Sequence, residues 1–249
     1  MGADANRQGV SEVTVQHGMV RAMGTVSLAT LASRLLGFLR DVVIAHAFGA
    51  GLTTDAFFVA FRIPNLFRRL LAEGALSAAL IPVFTEFLTL RSRDEFNRMF
   101  RSIAGVFLVA LCAVTVLGVL LAPWLVRLLA PGFTADAEQA GLASSLTRVM
   151  FPYLILVGLA TLAMGVLNAH RRFFTSALGP AALNIGMISA VFVLAPRFET
   201  PIVGLAVGVL AGGLGQFLIQ VPELRSLGAP LAPSAEFSHP AVRRVVRLL

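Results

Sequence analysis

Nine arginines and carboxylates interrupt two otherwise largely apolar stretches near the start of the chain, residues 23–47 and 54–88: Arg34, Arg40, Asp41, Asp55, Arg62, Arg68, Arg69, Glu73 and Glu86. At 100° per residue, Arg34 and Asp41 fall within about 20° of each other on a helix, with Arg40 about 120° from Arg34. One helical face can therefore present an arginine beside its own counter-ion. On the second stretch, taken as a straight helix, Asp55, Arg62, Arg69 and Glu73 gather within about 40° while Arg68 projects from another side. Singly, each residue reads as half of an internal salt bridge or as an arginine snorkelling to an interface. As a group, five arginines against Asp41, Asp55 and Glu73 leave positive charge over. Surplus guanidinium in a low-dielectric cavity recruits an anion, and its planar fork suits phosphate or diphosphate.

Such residues are costly in hydrocarbon, so the elements that carry them are decisive. Of 249 residues, 57% are hydrophobic and only 13% charged, against roughly 25% charged in soluble domains. The mean hydropathy is +0.84. A water-soluble globule is excluded, and long unbroken apolar runs favour helices over a barrel. The expected fold is all-α and polytopic. A polar tail, residues 1–22, precedes a transmembrane unit over 23–222, with helices at about 23–47, 54–88, 102–126, 149–169, 173–195 and 200–222. The last four are free of charge and long enough to cross. Pro64 and Pro82 are expected to kink or interrupt the second helix, and Phe48-Gly49-Ala50-Gly51 forms the turn before it. Residues 223–249 read as a linker that turns amphipathic and basic from Ala241, the start of a following element.

The basic residues are all arginine, so no P-loop or Schiff-base lysine exists and ATP-driven transport by this chain alone is excluded. Twelve loop arginines fall on one side: Arg7, Arg21, Arg91, Arg93, Arg98, Arg101, Arg171, Arg172, Arg225, Arg243, Arg244 and Arg247. Only Arg127, Arg148 and Arg197 fall on the other. This asymmetry assigns the N-terminus, the even-numbered loops and the C-terminal tail to the cytoplasm. The formal charge of +7 reads as membrane or anionic-ligand contact rather than nucleic acid. A lone Cys112 and four scattered histidines, His17, His46, His170 and His239, offer neither a disulfide nor ligand spacing, so no metal and no cofactor is expected. Gly204, Gly208 and Gly212 allow close helix approach, read first as packing and second as a sliding surface. Asn168 and Asn184 read as interhelical hydrogen bonds before cavity lining. Pro152 and Pro180 read as helix starts.

Several segments together resemble the MurJ (MviN) lipid II flippase family: Ser33-Arg34-Leu35-Leu36-Gly37-Phe38-Leu39-Arg40-Asp41, Phe48-Gly49-Ala50-Gly51 with Thr54-Asp55-Ala56-Phe57-Phe58, Pro64-Asn65-Leu66-Phe67-Arg68-Arg69, and Ala72-Glu73-Gly74-Ala75. Ala130-Pro131-Gly132-Phe133, Phe151-Pro152-Tyr153 and Leu167-Asn168-Ala169 extend the likeness over about residues 20–249. The resemblance implies a MATE-like fold of the MOP exporter superfamily, with two six-helix lobes around a cavity, of which this chain supplies the first. It implies a non-enzymatic lipid II flippase of peptidoglycan biosynthesis in the bacterial inner membrane, working by alternating access. By the family motif, Arg34, Arg40 and Arg68 are cavity arginines for the diphosphate, with Asp41 beside Arg40 and Asp55 at the periplasmic end. Asn65, Arg69 and Glu73 match as supporting or gating residues. Transport is expected to need the second-lobe helices. Two other readings remain at this stage: another MOP-type lipid-linked oligosaccharide flippase, and a membrane enzyme acting on polyprenyl phosphates, for which no grouping of histidines and carboxylates is present.

Overall fold

A computed structural model describes residues 24, 27–69, 75–230, 232–234, 236 and 239–248. Among the described residues the regular structure is helical. Helix α1 covers 27–48 and turns at Gly49, whose φ of 68° is a left-handed conformation that glycine adopts without a Cβ penalty. Then come α2 (Leu52–Arg68), α3 (Ala75–Leu90), α4 (Arg93–Leu120), α5 (Ala122–Leu129) and α6 (Ala137–Met150). The rest comprises α7 (Tyr153–Ala169), α8 (Phe173–Ala177), α9 (Gly179–Val193), α10 (Pro201–Leu218), α11 (Val221–Ser226) and α12 (Pro240–Leu248).

Among the described residues, four stretches are long and apolar enough to cross a membrane: Arg93–Leu120, Ala137–Ala169, Phe173–Val193 and Pro201–Ser226. Their limits differ from those drawn by charge-free intervals. Helix α4 begins nine residues before position 102 because Ser92 and Glu95 form a capping box, so the arginines and acids of its first turns stay inside a wet helix end. It ends before 126 because Pro123 restarts the chain as α5. The stretch expected at 149–169 starts at Ala137, capped by the Asp136 side chain, and puts Arg148 inside a helix rather than in a loop. Conversely, Pro64 and Pro82 lie within α2 and α3 without ending them. The residues expected to continue the second helix, 70–74, lie outside the described residues.

Two apolar cores stack along the molecule. One joins α2, α6, the start of α7, α9 and α10 around Phe57, Ile63, Met150, Phe151 and Leu205. The other joins α3, the start of α4, the end of α7, α11 and α12 around Phe84, Met99, Phe100 and Val166. Helix α7 belongs to both and acts as the shared post. The glycine stripe is packing surface: a Cβ on Gly208 would stand 2.2 Å from Ala190 Cβ, and one on Gly212 would stand 2.7 Å from the Leu183 carbonyl oxygen. The α9–α10 backbones therefore approach as closely as small residues permit.

Candidate functional site

On α1 the two arginines separate by face. Arg40 points towards α9, where Nε and Nη2 donate to Asp41 Oδ1 at 2.9 and 2.7 Å and Nη1 donates to Asn184 Oδ1 at 3.0 Å. Asn184 is buried and returns a bond from Nδ2 to the Ser33 carbonyl at 3.1 Å, so one amide both grips the guanidinium and ties α9 to α1. Arg34 is exposed and forms no ion pair with a described residue. The pairing of Arg34 with Asp41 that helical angles suggested is thus replaced by Arg40 with Asp41, the neighbours that the family resemblance implied. The long arginine stem lets adjacent side chains meet even though their Cα–Cβ vectors diverge by about 100°.

On α2 the outward face is polar. Phe58, Phe61, Arg62, Asn65, Leu66 and Arg69 line an open groove of about 510 Å³. Arg62 and Arg69 are exposed and form no ion pair among the described residues. Arg68 stands at the edge and donates from Nε to Asn65 Oδ1 at 2.6 Å, a short, charge-assisted bond that orients the amide. The opposite face, with Ala56, Phe57, Ala60 and Ile63, is buried in the core and packs against α6. That division is why the arginines project outward: the apolar face is consumed by packing, leaving the polar one for whatever lies beyond. Asp55 is exposed in the first turn of α2, where a carboxylate complements the helix dipole. Glu73 lies outside the described residues.

The structure therefore gathers Arg62, Asn65 and Arg69 at one groove, with Arg68 outside its lining and joined to it through Asn65, sets Arg40 and Asp41 in a clamp against α9, and leaves Arg34 and Asp55 exposed on their helices. By a rise of 1.5 Å per residue, Arg34 lies about 21 Å along α1 from the Gly49–Gly51 turn and Asn65 about 20 Å along α2. Two participants were not assigned to the site from sequence. Arg62 had a signal, its helical angle beside Arg69. Asn184 had none linking it to Arg40, since the partners are 144 positions apart.

Against this geometry, the family model described as Lipid II flippase MurJ matches residues 44–249. A relative from Burkholderia cenocepacia, "Lipid II flippase MurJ", is 42% identical over 232 residues, covering 92% of this chain and 45% of its own length. A "Probable lipid II flippase MurJ" from Vibrio cholerae is 38% identical, covering 96% of this chain and 47% of its own length. A solved structure, "Lipid II flippase MurJ, inward closed conformation", superposes with a TM-score of 0.72 at 26% identity over 90% of this chain and 46% of that one. The chain thus spans about half the length of the curated relatives it matches. A family match over residues 44–249, relatives 38–42% identical over more than nine-tenths of this chain and a solved structure that superposes over 90% of it agree, and the chain belongs to the MurJ lipid II flippase family.

Proposed function

We propose that this chain forms the first lobe of a flippase that carries the lipid-linked peptidoglycan precursor from the inner to the outer leaflet of the bacterial inner membrane. The observation that carries the reading is the arginine face of α2, where Arg62 and Arg69 form no ion pair among the described residues and stand beside the Asn65–Arg68 hydrogen bond, in a chain of this family. The diphosphate is the only strongly anionic part of such a lipid near the bilayer. Guanidinium forks in a cavity of low dielectric bind it more strongly than they would at a wet surface. In this reading Arg34 and Arg68 contact the diphosphate directly. Arg40, pre-aligned by Asp41 and Asn184, supplies a third cation with little ordering cost on binding. Asp55, Asn65, Arg69 and Glu73 support or gate the cavity. The protein acts as a transporter, with no bond made or broken.

The reading includes a MATE-like arrangement in which six membrane-crossing elements correspond to α1, α2 with α3, α4 with α5, α6 with α7, α8 with α9, and α10 with α11. Its support is that the last four are long and apolar enough to cross, while α1, at 22 residues, reaches the roughly 30 Å of a bilayer core. The N-terminus is cytoplasmic by the arginine asymmetry. Transport requires the second-lobe helices, since alternating access needs two bodies to rock about the site.

The test is growth rescue by the chain completed with a second lobe, in cells depleted of their own flippase. Arg34→Ala or Arg68→Ala should abolish rescue while the protein remains in the membrane fraction. Full rescue by both variants would overturn the assignment.

A further inference from the structure

A second groove lies on the far side of α6 from the arginine face of α2. It encloses about 570 Å³ between α5 and α6, and its lining includes Pro123, Arg127, Ser144, Ser145 and Arg148. These side chains occupy the face of α6 opposite the one that packs on α2, because Ala143, Leu146, Thr147 and Met150 are buried in that contact. Among the described residues no carboxylate lines it. Asp136, at the start of α6, is spent as a cap, its Oδ1 accepting from the Glu138 and Gln139 amides at 2.9 and 3.1 Å. Arg148 donates from Nε to the Val119 carbonyl at 3.4 Å, which anchors its stem on the last turn of α4 and leaves its other nitrogens uncommitted among the described residues. Arg127 lies with Cζ 5.6 Å from the centre of the Trp124 ring.

The surroundings identify the ligand. Val109, Val116, Leu117, Leu120, Trp124 and Leu128 are all exposed and form one continuous apolar stripe up α4 and across α5, ending beside Arg127. In a membrane-crossing helix such a stripe faces acyl chains. A tryptophan at its end, stacked with an arginine, marks the head-group level. A phosphate bound at Arg127 and Arg148 would therefore sit where a lipid running along that stripe places its head group, with the exposed Ser145 hydroxyl within the same groove, while Ser144 donates to the Ala140 carbonyl. We propose that the α5–α6 groove binds the phosphate of an anionic glycerophospholipid from the bilayer itself. It is a lipid-recognition site separate from the arginines of α1 and α2. Bound there, the lipid clamps α5 to α6 at the end of α4.

Native mass spectrometry of the purified chain tests this, titrating phosphatidylglycerol against phosphatidylcholine. Retention of phosphatidylglycerol should exceed that of phosphatidylcholine by about tenfold, the scale expected for two arginines at a head group. Arg127→Gln/Arg148→Gln should remove that preference. So should Ser145→Glu, which puts a carboxylate on the exposed rim without disturbing either guanidinium. Arg243→Gln/Arg244→Gln, on α12, should keep it. An unchanged preference in both groove variants overturns the site, as does equal loss in the α12 variant. Displacement of the lipid by millimolar inorganic phosphate or glycerol 3-phosphate overturns the lipid as its occupant.

Discussion

A single buried amide decides how Arg40 is held. Asn184 accepts from its guanidinium and donates to the Ser33 carbonyl, so Asn184→Leu leaves a partly buried charge short of a partner and a backbone carbonyl unbonded. Losing such bonds costs about 1–3 kcal/mol each way they are counted. A matching fall in the thermal midpoint in detergent is expected, while Asn184→Asp, which restores an acceptor for Arg40, should recover most of it. Equal midpoints for Leu and wild type would contradict the clamp. A second single-residue device closes α7. Arg171 adopts φ of 60°, and the amides of Arg171 and Arg172 bond back to the carbonyls of Asn168 and Leu167 at 2.9 and 2.8 Å. This is the Schellman pattern, in which glycine is favoured at the left-handed position. Arg171→Gly should therefore raise stability by up to about 1 kcal/mol and Arg171→Val should lower it, read as opposite shifts in the same melting experiment.

At the scale of elements, what was legible in the sequence was the apolar content of the crossing segments. What was not legible was where they begin and end. Charge-free intervals locate hydrocarbon, but a helix continues into water when its end is capped, as Ser92 and Glu95 do for α4 and Asp136 does for α6. Removing the α4 cap with Ser92→Ala should cost about 1 kcal/mol, measured by thermal shift. The polar face of α2 was readable because 3.6-residue periodicity survives even with Pro64 inside the helix. The pairing of Asp41 with Arg40 was legible only through the family motif and not through helical angles, because periodicity reports where a side chain starts and not how far a long one reaches. Glycine spacing on α10 was readable as packing, and the structure gives it a strict form. Gly208→Leu would have to displace Ala190 from 2.2 Å, so separation of α9 from α10 and loss of a monodisperse folded species by size exclusion is the expected result.

The whole molecule has more apolar surface than its own packing consumes. Along α1, Leu28, Leu31, Leu35, Phe38, Leu39 and Val42 are exposed and fall on one side of the helix. Lipid or a second lobe must cover such a stripe, since contiguous apolar patches of this size are not left to water. That surface lies on the helix that also bears the exposed Arg34. The two stacked cores are joined through α7.

The central claim is that the chain recognises a lipid-linked diphosphate through its arginines. The most direct measurement is native mass spectrometry of the purified chain with lipid II, undecaprenyl phosphate and a zwitterionic phospholipid, comparing wild type with Arg34→Ala/Arg68→Ala. Selective retention of lipid II by the wild type, lost in the double variant while phospholipid adducts persist, is the predicted result. Equal retention of lipid II by both proteins would contradict it.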